Sequence, residues 1–218
     1  MKVAVIGATG YVGQAVVAEL AARGHQVSAL ARNVDKVAEN EYIRAVVADV
    51  HAASFGQLLQ GFDAVVSAFN AGWSNPNIGA DYASGAAAIV AAAKVAQVPY
   101  LLVVGGAGSL YVAPNKQVID MPDFPSEIYD GANAARNHLA DLQQRDDVNW
   151  AFVSPPARLG ADAGFSEERT GQYRLGKDDL LMAGDVPAGI SVADLAIAIA
   201  DDVEQRAHLH QRFTVASV

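Results

Sequence analysis

The chain has 218 residues, 52% of them hydrophobic and 18% charged, with a formal net charge of -9 and no cysteine. That length and composition predict one domain, residues 1–218, with ample material for a core. The missing cysteines exclude disulfides, thiolate metal sites and cysteine nucleophiles, and the acidic balance argues against nucleic acid as a partner.

The first predicted element is the strand 2–6, which runs straight into the glycine loop Gly7-Ala8-Thr9-Gly10-Tyr11-Val12-Gly13. This start leaves no room for a cleavable signal peptide and predicts a cytoplasmic protein. A helix is expected over 11–23, then strands over 26–30, 43–48 and 63–68. A second helix is expected over 77–97. It contains the longest apolar segment, 85–98, which is alanine-rich, is interrupted by Lys94, and falls short of the about 20 strongly apolar residues of a membrane span. A strand at 100–104, a helix at 133–145 and a strand at 149–154 complete the repeat. Strands apolar on both faces and separated by helices predict an α/β fold with a doubly wound, mostly parallel sheet, the Rossmann fold.

From 155 to 190 the chain turns rich in loops, glycines and prolines. This segment is expected to form a small lid with a short hairpin over the carboxyl edge of the sheet, where open α/β sheets bind ligands. A helix over 191–205 follows, with Ser191 as N-cap and Asp194 completing a variant capping box, and the last strand spans 212–217.

The glycine loop lies between a strand and a helix, which is the context its motif requires. Gly7 permits a tight turn, Gly10 lets the backbone approach a pyrophosphate, and Gly13 lets the helix pack closely. The N–H groups of residues 7–13 and the positive end of the helix dipole then face the phosphates. Where NAD-specific folds place an acid at the end of the second strand, this chain has Ala31-Arg32-Asn33. Arg32 can pair with a 2′-phosphate, so NADP(H) is expected over NAD(H).

The spacing G-x-x-G-x-x-G resembles the extended and atypical short-chain dehydrogenase/reductase superfamily, and further stretches match its stations. The resemblance assigns Asp49 and Val50, in "ADV", to the adenine. It assigns Ala68, Phe69 and Asn70, in "SAFNAG", to the ribose and nicotinamide. Gly105, in "GGAGSL", and Pro155, in "SPP", fall beside the nicotinamide. Dehydrogenases of the superfamily also use a Tyr-x-x-x-Lys pair, in which the cationic lysine makes the tyrosine a usable base. Tyr129 stands at the matching place, but Asn133 replaces the lysine; Tyr82 is followed four residues later by Ala86. Tyr129, as a substrate-orienting hydroxyl, and Ser109, in the loop after the fifth strand, are the remaining catalytic candidates.

Over its whole length the chain resembles bacterial NADH-flavin reductase-like proteins and their biliverdin reductase B-like relatives, through "VVGGAGSL", "VNWAFVSPPA", "RTGQYRLG", "GISVADLAIAI" and "RFTVAS". The resemblance implies a reductase whose acceptor needs little proton help, such as a flavin serving as substrate rather than prosthetic group, or a quinone. Arg158, Phe165 and Tyr173 are expected to contact that small-molecule substrate; Arg158, Arg169, Tyr173 and Arg174 cluster in the lid segment and are candidates for holding an acidic acceptor or the cofactor phosphate, against the alternative of solvated or lid-packing side chains. Phe69, Trp73 and Phe165 are candidates for stacking on a flavin ring, against the alternative of core packing. His208 and His210 are read on one face of a strand without a carboxylate at ligand spacing, so no metal is expected. Two other readings stay open: a non-catalytic NADP(H) sensor of the NmrA-like type, and a sugar-nucleotide epimerase or dehydratase. A homodimer is also left open.

Overall fold

In this computed structural model, which describes residues 1–218, the chain runs β1 (Lys2–Ile6), α1 (Tyr11–Ala22), β2 (Gln26–Ala31), β3 (Ile43–Val47), α2 (Phe55–Leu58), β4 (Ala64–Ser67), α3 (Ile78–Val95) and β5 (Leu101–Val104). It continues with β6 (Tyr111–Ala113), β7 (Lys116–Gln117), α4 (Tyr129–Leu142), β8 (Trp150–Ser154) and β9 (Arg158–Leu159). The last elements are β10 (Arg174–Gly176), β11 (Met182–Ala183), β12 (Val186–Pro187), β13 (Gly189–Ile190), α5 (Val192–Gln205) and β14 (Gln211–Ala216). The main sheet has the order β3-β2-β1-β4-β5-β8-β14-β10. All its pairings are parallel except β10 with β14.

The sheet is doubly wound because its central strands are apolar on both faces. Val3, Val5, Ala64 and Val66 pack with α1 and α5 in one buried cluster. Ala4, Ile6, Val65 and Leu101 pack with α2, α3 and α4 in the other. The winding reverses at β1, which pairs with β2 on one side and β4 on the other. That switch point opens a crevice outside the carboxyl ends of the strands.

Several expectations need correction. Helix α4 begins at Tyr129, four residues before the expected start. Gly131 does not break it, because a Cβ there would meet Ile78 Cδ1 at 2.9 Å and Trp73 Cζ3 at 3.0 Å, so glycine serves a close approach. The segment 155–190 is only partly a lid: β10 joins the main sheet, β9 and β13 pair in parallel, and only β11–β12 form a hairpin. Ser191 caps α5 as expected, its Oγ accepting the Asp194 N–H at 3.0 Å. The Asp194 carboxylate does not return to the cap. It accepts hydrogen bonds from the Thr170 N–H, the Thr170 hydroxyl and the Gly171 N–H, anchoring that stretch to α5. His208 and His210 precede β14 rather than sharing a strand face, and His208 does have a carboxylate partner, Asp202, at 2.6 Å. No group of three or more His, Asp or Glu side chains is arranged to hold a metal ion.

Candidate functional site

Two hollows meet at the switch point. One is a groove of about 480 Å³ running from the glycine loop past the ends of β2 and β3. The other is a cavity of about 590 Å³ between the ends of β5 and β8, the start of α4 and the loop carrying β6 and β7. Phe69 and Asn70 line both.

The groove is shaped by backbone. Gly7 has φ +76°, and a Cβ there would sit 2.4 Å from the Ala68 carbonyl oxygen. A Cβ on Gly13 would sit 2.1 Å from the Gly7 carbonyl oxygen, so the loop can fold back onto α1 only with glycine at both places. The first helical bond runs from the Gln14 N–H to the Gly10 carbonyl at 2.9 Å, and the N–H groups of Thr9, Tyr11, Val12 and Gly13 have no backbone acceptor within the chain. Free amides at the positive end of a helix suit a pyrophosphate, so the residues present fit a dinucleotide.

Gly7, Thr9, Gly10, Arg32, Asp49, Val50, Ala68, Phe69 and Asn70 all line this groove. Arg32 is exposed and has no hydrogen-bond or ion-pair partner in the chain, whereas Asp35 is engaged by Asn33 through its N–H at 2.9 Å and its carboxylate at 3.2 Å. One Asp49 carboxylate oxygen accepts the His51 N–H at 2.9 Å. Ala8 and Gly13 stand behind the loop as buried packing residues, and Val12 packs against the core. The Tyr11 side chain leaves the groove wall for the lid, where its hydroxyl donates to Glu167 Oε1 at 2.6 Å. The same oxygen accepts the Ala161 N–H. Burial and the Glu167 carboxylate raise the Tyr11 phenol above its ordinary range, while the Ala161 N–H lowers the Glu167 carboxyl.

The cavity has a different character. Gly105 and Pro155 line it, joined by Trp73, Tyr82 and a wall from the loop between β5 and α4 that includes Val112, Val118, Met121, Phe124 and Ile128. None of those five wall residues was singled out from the sequence. The available signal was the length of that connection, 105–128, since loops beyond about 12–15 residues usually carry function. Burial holds the Tyr82 phenol well above its ordinary value, so it stays protonated. Behind it lies His138, whose ring meets Tyr82 and Phe152 edge-on with centroids 6.1 and 6.3 Å away. Neither His138 nitrogen has a hydrogen-bond partner, and burial lowers its pKa to about 4.

Five proposed contacts point elsewhere. Ser109 is buried and turned from the cavity, with its Oγ 3.3 Å from Ser154 Oγ and 3.4 Å from Arg212 Nη1. Tyr129 is 42% exposed and packs on Phe124 outside the cavity wall. Tyr173 donates to Asp201 on α5 at 2.6 Å, on the far face of the sheet from α4. Phe165 lies over Gly189, where a Cβ would meet its ring at 2.2 Å. Arg158, stacked over that ring at 5.8 Å, donates to the Gly164 carbonyl at 2.6 Å. Arg169 pairs with Glu19, and Arg174 donates to the Ser217 and Met182 carbonyls. Asn133, in the lysine's place, accepts from Arg136 at 2.6 Å, and Arg136 is held by Asp120 at 2.9 Å.

Comparison with known proteins agrees with this geometry. A family described as NAD(P)H-binding matches residues 7–203. The Bacillus subtilis protein YwnB is 38% identical, over 100% of this chain and 99% of its own. Among solved structures, a candidate epimerase from Bacteroides thetaiotaomicron is 35% identical with TM-score 0.89, covering 100% of this chain and 97% of its own. A candidate NADH-flavin reductase from Streptococcus pneumoniae is 33% identical with TM-score 0.86, covering 100% of both chains. No helix is long and apolar enough to cross a membrane. With its glycine loop, its switch-point groove and these relatives, the chain belongs to the NAD(P)H-binding family of Rossmann-fold proteins, among the atypical short-chain dehydrogenase/reductases.

Proposed function

We propose that the protein is an NADPH-dependent reductase that passes hydride to a flavin or quinone-like acceptor. The observation that carries this reading is the meeting of a polar groove and an apolar cavity at Phe69 and Asn70, without a tyrosine–lysine pair at the junction. The bound dinucleotide would supply the hydride. The chain's own residues bind and orient: free loop amides hold the pyrophosphate, Arg32 takes the 2′-phosphate, and Asp49 meets the adenine.

Around the cavity, apolar walls exclude water and position the acceptor, which is the main contribution available when no acid–base pair is present. Tyr82, kept protonated by burial, can donate a hydrogen bond but cannot act as a base near neutral pH. That disfavours epimerase or dehydratase chemistry, which needs proton abstraction, despite the name of the Bacteroides relative. The Streptococcus relative's name supports the reductase class. A cytoplasmic setting, where NADPH is available, belongs to the same reading.

The test is stopped-flow NADPH oxidation against a panel of flavins and quinones. Turnover with at least one acceptor, reduced by two electrons per NADPH, is expected, together with a less than about twofold change in Tyr129→Phe, because that hydroxyl lies outside the cavity wall. No turnover with any acceptor overturns the proposal. The engagement of Asn133 with Arg136 instead of a catalytic role favours the NADP(H)-sensor reading as the alternative, which predicts unequal affinities for oxidised and reduced cofactor without steady-state turnover.

A further inference from the structure

The 590 Å³ cavity is lined by twenty-five residues, fifteen of them hydrophobic, and the other ten are glycines, prolines, Asn70 and Asp123. None is lysine, arginine or histidine. Its volume suits a small aromatic ligand, and Phe69, Trp73 and Phe124 put three aromatic side chains in its wall.

The nearest arginines are already committed. Arg136, next to the lining residue Ala135, is held by Asp120 and Asn133. Arg158, next to the lining residue Ala157, is turned to the Gly164 carbonyl and the Phe165 ring. Arg212, beneath Ser109, is paired with Asp178. The wall segment 120–130 carries Asp120, Asp123, Glu127 and Asp130, all exposed; Asp123 lines the cavity, while Asp120 is paired with Arg136.

From this we infer that the cavity takes uncharged aromatic two-electron acceptors, of which a quinone without an anionic substituent is the type, and rejects acceptors bearing phosphate, sulfonate or carboxylate. An anionic group brought into this cavity loses its hydration, finds no cationic side chain in the lining, and meets the Asp123 carboxylate, so each contribution opposes binding. A neutral quinone loses little on entry and gains the apolar walls. The inference rests on the reductase reading for its chemistry: quinone, NADPH and one solvent proton become hydroquinone and NADP+, with both electrons leaving on the hydride. The binding preference itself needs no turnover.

Two matched pairs test it. Trp73 lines the cavity while the other tryptophan, Trp150, is buried in the core. Fluorescence quenching of NADP+-loaded protein therefore compares 2-methyl-1,4-naphthoquinone with its sulfonated analogue, and NADPH oxidation compares riboflavin with its phosphate, FMN. The neutral member is expected to win by about tenfold or more in Kd and in kcat/KM, and Asp123→Lys is expected to narrow both gaps. Equal or reversed preference, or no quenching by either naphthoquinone, overturns the inference. If the neutral quinone binds preferentially but no acceptor is ever reduced, the reductase reading falls while this inference stands. If FMN and riboflavin turn over alike, the reverse holds.

Discussion

The groove and the cavity sit side by side at one end of the sheet and are built in opposite ways. The groove is made of main chain: glycines at 7, 10 and 13 fold a loop so tightly that Cβ atoms on Gly7 and Gly13 would overlap neighbouring carbonyls, and only a few side chains, Arg32 and Asp49 among them, finish it. The cavity is made largely of side chains contributed by the loop after β4, α3, the 105–128 connection, α4 and the loop after β8. Local geometry therefore defines the first hollow, and long-range packing defines the second.

One added methyl group sharpens that contrast most. Gly13→Ala places a Cβ 2.1 Å from a carbonyl oxygen and is expected to cost about 3 kcal/mol or more in stability and to abolish NADPH binding. Gly108→Ala on the cavity wall meets nothing closer than Ala132 Cβ, at 3.4 Å, and Ile119 Cβ, at 3.6 Å, and should shift stability by less than about 1 kcal/mol. Urea unfolding of both variants checks the pair, and equal losses would break the distinction.

His138 gives the next largest effect, on the cavity side alone. Its pKa is about 4 in the folded protein against 6.5 for the free side chain, so the unfolded chain takes up a proton that the folded chain refuses. Stability should therefore fall as pH drops from about 6.5 towards about 4, by up to about 3 kcal/mol from this group. His138→Phe should flatten that part of the pH–stability curve, and a curve identical to the parent's would show that the ring is solvated.

Arg32→Glu tests the groove side. It should raise the Kd for NADPH by about a hundredfold while changing that for NADH less than about threefold, read by titration of cofactor fluorescence. Equal losses for both cofactors would remove Arg32 from the 2′-phosphate.

How much could be read from the sequence follows the same division. The central strands, helices α1, α3 and α5, and the groove residues Gly7, Gly10, Arg32, Asp49 and Phe69 were legible, because strand burial and glycine turns write local patterns. The cavity wall at Val112, Met121 and Phe124 was not, since β6 and β7 are too short to leave a period of their own. Tyr129 was nominated by its match to a motif station, and Ser109 and Tyr173 by the loop and lid segments that carry them, and none of these carries information on side-chain direction. Ser109 turns inward to Arg212, Tyr129 outward to Phe124, and Tyr173 to Asp201 across the sheet. The antiparallel β10 hid within a loop-rich stretch because its three residues find their period only against β14.

Residues 160–171 are fastened at three points: Arg158 to Gly164, Glu167 to Tyr11, and Thr170 and Gly171 to the buried Asp194. The conformational entropy of that stretch is surrendered once, as the chain folds.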